Sequence, residues 1–239
     1  MQHFIHPSTR SSVDGSAHAP AREGADKPRA ASVLVPIRSL GPGHRDRILR
    51  HLLALAPHDR YLRFGYAAAD EHVQRYVDSL NFSRDEIFGI YNRRLELIAM
   101  AHLAFSVDPS LTSCAEFGVS VSEHARGRGY GARLFERAVV HARNEGVQML
   151  FIHALSENTA MLKIARNAGA KVERDGSETE AFLRLPAATL DSRVAELVQQ
   201  HVGFTDYHLK AQAHQFLRFL AGLQEVRRGV RAARAKSGR

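Results

Sequence analysis

The sequence is poor in residue types that define several protein classes. Its 239 residues contain one cysteine, Cys114, and no tryptophan. A single cysteine excludes an internal disulfide and a zinc site made of cysteine pairs, so we expect Cys114 to be a small buried hydrophobic side chain. The 14 histidines include no His-Glu-x-x-His pair, and we therefore expect no metal ion.

Long hydrophobic runs are missing too. No apolar stretch approaches the roughly 20 residues of a membrane-spanning helix, and residues 1–31 contain no apolar block next to a cleavage site. These absences predict a cytoplasmic protein that makes no membrane contact.

Positive charge is concentrated at the C-terminal end. The formal net charge is +8, and residues 227–239 hold six basic residues and no acidic one. The rest of the sequence is close to neutral, so the positive net charge says little about what the main domain binds. We expect a solvated tail, with contact to nucleic acid or to an acidic partner as the alternative.

Composition and periodicity divide the chain into three segments. Residues 1–31 mix small, polar and charged residues without periodicity, which predicts a disordered N-terminal tail. Residues 32–186 carry alternating strand and helix patterns and form the predicted main domain. Residues 187–239 are predicted to be a C-terminal helical extension with the basic tail. Its two apolar stripes, one from Leu190 to Val198 and one from Leu209 to Leu223, must pack on the main domain, on each other or on a second copy, so a homodimer is one of three options.

The order of elements in the main domain follows from the apolar spacing. A strand at "SVLVPIRSL" precedes a helix that should end at Pro57, and Asp70 is expected to cap a second helix. "EIFGIY" and "LELIAMAHLAFSV" form a predicted hairpin, and "SCAEFGVSV" adds a third strand. After a glycine-rich loop, a helix closes at Gly146, "VQMLFIHAL" is a buried strand, a further helix ends at Gly169, and two short strands surround Asp175-Gly176.

The stretch "ARGRGYGA" has an anion-binding pattern. Gly127, Gly129 and Gly131 let backbone N–H groups approach a ligand and allow positive φ angles. The loop opens into a helix, whose N-terminus attracts anions, and Arg126 and Arg128 add positive charge. We therefore predict a diphosphate site.

The same letters also fit the G-x-G-x-x-A form of the dinucleotide fingerprint, which predicts an oxidoreductase that binds NAD(P). Two observations oppose this alternative. Five residues separate the loop from Val121, the last residue of the preceding strand, and several strands precede the loop, whereas the fingerprint normally opens its domain.

Two segments, in order, resemble the GNAT superfamily of acyl-CoA-dependent N-acetyltransferases, and the resemblance covers about residues 33–185. "AEFGVSVSEHARGRGYGARLF" resembles the family's strand and coenzyme A pyrophosphate loop, with Arg126, Gly129 and Gly131 in the motif. "ENTAMLKIARNAGAKV" resembles the helix that follows. The wording "AEF", "N-x-x-M" and "DRYLRFG" is similar to a branch that contains bacterial protein-lysine acetyltransferases.

The resemblance implies a GNAT-like α/β fold, a mixed and mainly antiparallel sheet flanked by helices, with acetyl-CoA as cosubstrate. The pantetheine arm is expected to pair with a strand and the pyrophosphate to bind loop amides. Two polar residues at the start of the next helix are expected to contact the pantetheine, to cap that helix, or to do both. The expected cofactor-binding residues are Val119, Ser120, Val121, Arg126, Gly127, Arg128, Gly129, Tyr130, Gly131, Ala132, Ser156 and Asn158.

The resemblance also implies that a primary amine attacks the thioester directly. A lysine-like amine has a pKa of about 10.4 and needs a base, for which Glu116 is the candidate; the alternative is a solvent-facing strand carboxylate. Ala165 stands where many members have a tyrosine that protonates the leaving thiolate. The general acid is therefore open, and a non-catalytic acyl-CoA sensor or scaffold is an alternative function.

The acceptor amine is open at this stage between a protein lysine, a protein N-terminus, a polyamine, an amino acid and a drug. By family analogy, residues from Pro57 to Ala69 are expected to shape its pocket, with Tyr61, Arg63 and Tyr66 as candidates.

Overall fold

The computed structural model describes residues 35–108, 113–175, 178–207 and 210. The predicted N-terminal tail, the second apolar stripe of the C-terminal extension and the basic tail lie outside these residues. The segment boundaries at 31 and 186 therefore remain predictions.

Three helices occupy the first part of the described chain, where the sequence predicted two. They are α1 (Arg45–Leu53), α2 (Pro57–Phe64) and α3 (Asp70–Ser79). Pro57 was expected to end a helix; instead it starts α2, because proline has no N–H to leave unpaired at the first helical position. Asp70 was expected to be the cap of α3, but Ala69 holds that position and Asp70 is the first helical residue.

Seven strands of the described chain form one sheet. They are β1 (Arg38–Ser39), β2 (Glu86–Tyr91), β3 (Leu97–Phe105), β4 (Cys114–Val121), β5 (Met149–Leu155), β6 (Lys171–Asp175) and β7 (Glu178–Arg184). Their order is β1-β2-β3-β4-β5-β7-β6, and every neighbouring pair is antiparallel except β4 and β5. The predicted fold class is thus confirmed, including the hairpin of β2 and β3, the third strand β4 and the final pair β6 and β7.

The parallel pair of β4 and β5 is short. Their register covers only Cys114 with Met149, Ala115 with Leu150, and Glu116 with Phe151. Beyond Glu116 the two strands diverge, while β4 stays paired with β3 as far as Val121. The sheet therefore opens into a fork whose closed end is at Glu116.

Helices cover both faces of the sheet. The helices α4 (Tyr130–Asn144) and α5 (Thr159–Asn167) bury Leu134, Phe135 and Leu162 in a core with Phe88 and Phe117. On the other face, α1 and α3 bury a second cluster against β2 and β3. Alternate strand residues supply the two cores, because successive side chains of a strand point to opposite faces.

A sixth helix, α6 (190–207), follows the sheet. The sequence predicted a helix here with an apolar stripe that must be buried, but Leu190, Val194, Leu197 and Val198 are 57% to 82% exposed. Other side chains attach the helix. Glu196 accepts a hydrogen bond from Asn144 and pairs with Arg137 and His141, all on α4. Tyr207 packs against the cluster of α1 and α3, with its ring centre 5.3 Å from that of Tyr91. At its other end α6 lies close to β1, where a Cβ at Gly203 would overlap the Ile37 carbonyl. No helix among the described residues is long and apolar enough to cross a membrane.

Candidate functional site

A cavity of about 820 Å³ lies in the fork between β4 and β5. One side is formed by the diverging half of β4, from Phe117 to Val121, and the other by the end of β5, from His153 to Leu155. Because β5 pairs with β4 no further than Phe151, the facing backbone edge of β4 is left open to the cavity. An extended molecule with amide groups can pair there as an added strand.

The glycine-arginine loop forms one end of the cavity. Gly127 and Gly129 have φ angles of 74° and 76°, in the left-handed region that favours glycine. Gly129 is the N-cap of α4, so the N–H groups of the first turn of α4 lack helical partners and present a partial positive charge. At Gly131 an added Cβ would lie 3.2 Å from Ile164 Cδ1, so α4 and α5 approach closely there.

Most residues predicted to bind the cofactor line this cavity. They are Val119, Ser120, Val121, Arg126, Gly127, Gly129, Tyr130, Gly131, Ala132 and Asn158. Two predicted residues, Arg128 and Ser156, are not part of the lining. The Arg128 guanidinium reaches back to the His124 carbonyl at 3.5 Å, and Ser156 Oγ shares a hydrogen bond of 2.8 Å with Thr179 Oγ1. The binding role of the whole set stays a prediction.

Asn158 caps α5 and also lines the cavity, so both predicted roles, helix cap and pantetheine contact, are compatible with its position. Its Oδ1 accepts a hydrogen bond from the Met161 N–H at 3.2 Å and so caps α5. Its Nδ2 lies 3.4 Å from the Leu62 carbonyl of α2, across the cavity mouth. The side chain thus connects α5 to α2.

Arg126 has a partner that the sequence did not reveal. Its guanidinium forms an ion pair with Asp59 of α2, whose side chain is mostly buried. Both residues line the cavity. A diphosphate in the loop would therefore share the Arg126 guanidinium with the Asp59 carboxylate or displace that carboxylate from it.

Glu116 lies at the closed end of the fork. Its side chain is exposed and lines the cavity, on the same face of β4 as Gly118 and Ser120. This placement gives the carboxylate access to a ligand in the cavity. Its role as a base stays a prediction.

A buried polar chain begins beside Glu116. Arg63 Nη2 donates to Tyr76 Oη at 2.8 Å, and Tyr76 Oη lies 2.8 Å from His102 Nδ1. Because arginine only donates, the tyrosine proton is directed to Nδ1, and His102 Nε2–H then donates to Asp85 Oδ2 at 3.2 Å. Burial and the charge of Arg63 lower the pKa of His102, which agrees with this neutral tautomer.

Asp85, at the far end of this series of hydrogen bonds, is a carboxylate that also pairs with Arg84. Burial alone would raise the pKa of Asp85, but hydrogen bonds from Arg84 and His102 lower it overall. Arg84 donates to both Asp85 oxygens, at 2.6 and 2.8 Å. Both ring nitrogens of His102 therefore have partners inside the protein. Its partners on α3 and before β2 could not be read from the sequence, because strand register was unknown.

His51 of α1 links β3 to β4. Its Nδ1 donates to the Leu97 carbonyl at 3.0 Å, so Nε2 accepts from Ser120 Oγ at 2.9 Å. Burial lowers the pKa of His51 to about 4. The neutral ring therefore fixes Ser120 beside the cavity.

Ala165 and His153 differ in their access to the cavity. Ala165 is fully buried in the core and does not line the cavity, so its position offers no proton donor to a ligand there. His153 lines the cavity and lies 3.5 Å from Glu180 on β7. Within the described part of the chain, no three His, Cys, Asp or Glu side chains are grouped to hold a metal ion.

The comparisons agree with this geometry. A family model described as "Acetyltransferase (GNAT) family" matches residues 48–170, which include the fork, the glycine-arginine loop and α5. No curated protein matches the sequence.

Solved structures with the same fold are distant in sequence. The chain is similar to the GNAT domain of PAT from S. lividans (18% identity, 64% of this chain and 95% of that chain, TM-score 0.55). It is also similar to a GNAT-family acetyltransferase from Streptococcus pneumoniae (12% identity, 63% and 98%, TM-score 0.51) and to yncA from Salmonella typhimurium, solved with acetyl-CoA (13% identity, 65% and 96%, TM-score 0.51). At these identities the likeness establishes the fold.

Proposed function

Because the chain belongs to the GNAT acetyltransferase family, whose enzymes use acetyl-CoA, we propose that it transfers the acetyl group to a primary amine with Glu116 as the general base. The acceptor is a protein lysine or a small amine. The observation that carries the proposal is the fork between β4 and β5, with a glycine-arginine loop at one end and Glu116 at its closed end.

The residues of the fork suit coenzyme A. The open edge of β4 around Val119 and Val121 offers backbone groups to the two amides of a pantetheine arm. The positive φ angles at Gly127 and Gly129 turn the loop into the N-terminus of α4, where the unpaired N–H groups favour a diphosphate. The strand before the loop does begin a parallel βαβ unit of β4, α4 and β5. The rest of the dinucleotide context is missing, since β4 is the fourth strand of a mainly antiparallel sheet and five residues separate its end from Gly127.

Acetyl-CoA, when bound, supplies a thioester that an uncharged amine can attack. The protein's task is to make and hold that amine. Glu116 takes one proton from the ammonium group, directly or through a water, and leaves a lone pair on nitrogen. As the new C–N bond forms, the C–S bond breaks and coenzyme A leaves as a thiolate. The nitrogen then loses its second proton to that thiolate or to water, which gives the neutral amide. No covalent bond to the protein is required.

Calorimetric titration with acetyl-CoA, coenzyme A, NAD and NADP tests the cofactor. We expect binding of the first two alone. Binding of NAD or NADP without coenzyme A would overturn the proposal.

An acceptor screen that measures free thiol then tests the transfer. Acetyl-CoA binding with no transfer across a broad panel of amines and lysine-containing proteins would favour the acyl-CoA sensor. Transfer that survives loss of Glu116 unchanged would remove that residue from the role of base.

A further inference from the structure

Arg63 provides a fixed positive charge on the acceptor side of the cavity. Its guanidinium lies directly on the strand: a Cβ at Gly118 would be 2.7 Å from Arg63 Cζ. The guanidinium also lies 5.3 Å from the ring centres of both Phe64 and Tyr76. With Nη2 bonded to Tyr76, the group is held in one orientation before any ligand arrives.

This charge has no carboxylate partner in the described chain. Arg63 takes part in none of the ion pairs between described residues. Nη2 is used by Tyr76, Nε is buried, and Nη1 has no hydrogen-bond partner among the residues that the structure describes. An arginine that lines a cavity, is held by aromatic rings and keeps a donor unused is suited to bind an anion.

The position of Glu116 defines what kind of anion fits. Glu116 and Gly118 are two residues apart on the same face of β4, so their Cα atoms are about 7 Å apart. The Glu116 carboxylate and the Arg63 guanidinium thus belong to neighbouring positions on one face of β4. There they can contact the two ends of a molecule that carries an ammonium and a carboxylate one or two carbon atoms apart. Leu55, Leu62 and Phe64 line the cavity on the same side, and their surface suits an apolar side chain.

We propose that Arg63 binds the carboxylate of the acceptor, and that the acceptor is a free α-amino acid with an apolar side chain. This rests on the proposed function and narrows its acceptor. A lysine side chain within a protein has no carboxylate beside its amine, and a polyamine has none at all. Both would leave Arg63 unpaired and bring a second positive charge toward it.

Matched acid and amide pairs test the proposal: L-leucine with L-leucinamide, L-methionine with L-methioninamide, and L-phenylalanine with L-phenylalaninamide. An amide-bearing amine has a pKa of about 8 and is uncharged more often near neutral pH, so it is the better intrinsic nucleophile. A preference for the acid therefore requires a carboxylate site. We expect kcat/KM to be at least tenfold higher for the acids, with the difference in KM.

Variants locate that site. Arg63→Met should remove the preference by raising KM for the acids alone, and Arg63→Lys should restore part of it. The control Arg75→Met removes an exposed positive charge on α3 and should change neither. Equal use of acids and amides by the unaltered protein, or an equal loss for both with Arg63→Met, would overturn the proposal.

Equilibrium binding separates this inference from the proposed function. Calorimetry of each acid and amide, in the presence and absence of coenzyme A, needs no acetyl transfer. Tighter binding of acids with no turnover would contradict the proposed transferase and uphold the carboxylate site. Transfer to protein lysines alone, with no amino acid bound, would uphold the transferase and reject the site. If Arg63→Met does not fold, the acid and amide comparison on the unaltered protein decides.

Discussion

Glu116 occupies the last paired position of β4 with β5, so its side chain enters the cavity where the strands separate. If it is the base, Glu116→Gln keeps the shape of the site but cannot take a proton. We expect coenzyme A affinity to stay within about twofold, and turnover to fall by about a hundredfold or more. The loss should be greatest at low pH, where nearly all of the amine is protonated, and should shrink as the pH rises toward the pKa of the amine.

A matched carboxylate provides the control. Glu180 also lines the cavity, on β7, and is exposed. Glu180→Gln should leave the pH profile of turnover unchanged. The same turnover at every pH for Glu116→Gln and the unaltered protein would show that another group or water takes the proton.

His51 links folding to pH. Its folded pKa of about 4 lies below the usual value of 6.5, because the buried ring is kept neutral. As the pH falls from about 6.5 to 4, the unfolded chain takes up a proton that the folded chain does not, so stability is lost in this window and retained above it. The loss amounts to about 3 kcal/mol at pH 4.

Urea unfolding between pH 7 and 4.5 measures this effect. His51→Gln can keep partners at Leu97 and Ser120 without titrating, so we expect a clearly flatter dependence of stability on pH. His153→Gln, a change at a half-exposed histidine, should leave the dependence unchanged. A slope that His51→Gln does not alter would place the titrating group elsewhere, for example at His102.

The loop and α4 act as one element, since Gly129 is at once the end of the loop and the cap of the helix. Gly129→Val places a β-branched residue at a φ of 76°, which costs about 1–2 kcal/mol or shifts the amides that follow. If these amides hold the diphosphate, coenzyme A affinity should drop at least tenfold by calorimetry.

The other end of α4 supplies the control. Gly146 has a φ of 82° and, like Gly129, has no atom within 4 Å of an added Cβ, but it does not line the cavity. Gly146→Val should destabilise the fold to a similar extent and leave coenzyme A affinity unchanged. Normal affinity in Gly129→Val would reject the diphosphate assignment.

Helices and strands could be predicted from the sequence where a single local signal, such as apolar periodicity or glycine spacing, determined the element. Strand β4, the glycine loop and α4 follow one another in the order predicted, because apolar periodicity and glycine spacing are local signals. Pro57 shows the limit of such rules. Proline is excluded from a helix interior and favoured at a helix start. The apolar spacing alone did not show whether Pro57 follows the end of one helix or begins the next.

The partners inside the site could not be predicted, because they are brought together by register and packing. Tyr76 and His102 are 26 residues apart, and the pair of Arg126 with Asp59 joins the loop to α2. The lining residues were predictable to the extent that they belong to continuous motifs. Arg63 was a candidate for the acceptor pocket only because it lies between Pro57 and Ala69. Its contact with Gly118 could not be predicted, because it depends on how the strands pair and on how α2 packs against β4.

At the level of the whole chain, α6 contacts α4 through polar side chains, although its sequence predicts contact through the apolar stripe from Leu190 to Val198. Burial alone would raise the pKa of Glu196, but hydrogen bonds from Asn144 and His141 and the charge of Arg137 lower it overall. The Arg137 side chain is only 4% exposed and has its guanidinium 5.0 Å from the Phe88 ring centre, within the main core. Glu196 thus compensates a charge that the core would otherwise hold unpaired.

This arrangement predicts an unusual order of mutational effects along α6. Glu196→Ala leaves Arg137 buried without its carboxylate and should lower the free energy of unfolding by about 2–4 kcal/mol. Val194→Ala, in the exposed stripe of the same helix, should cost less than about 0.5 kcal/mol. Urea unfolding at pH 7 compares the two variants, and Glu196→Gln, which keeps the hydrogen bonds but not the charge, should lie between them. A larger loss for Val194→Ala would mean that the apolar stripe is buried in solution, by residues 211–239 or by a second copy, and that α6 depends on that contact.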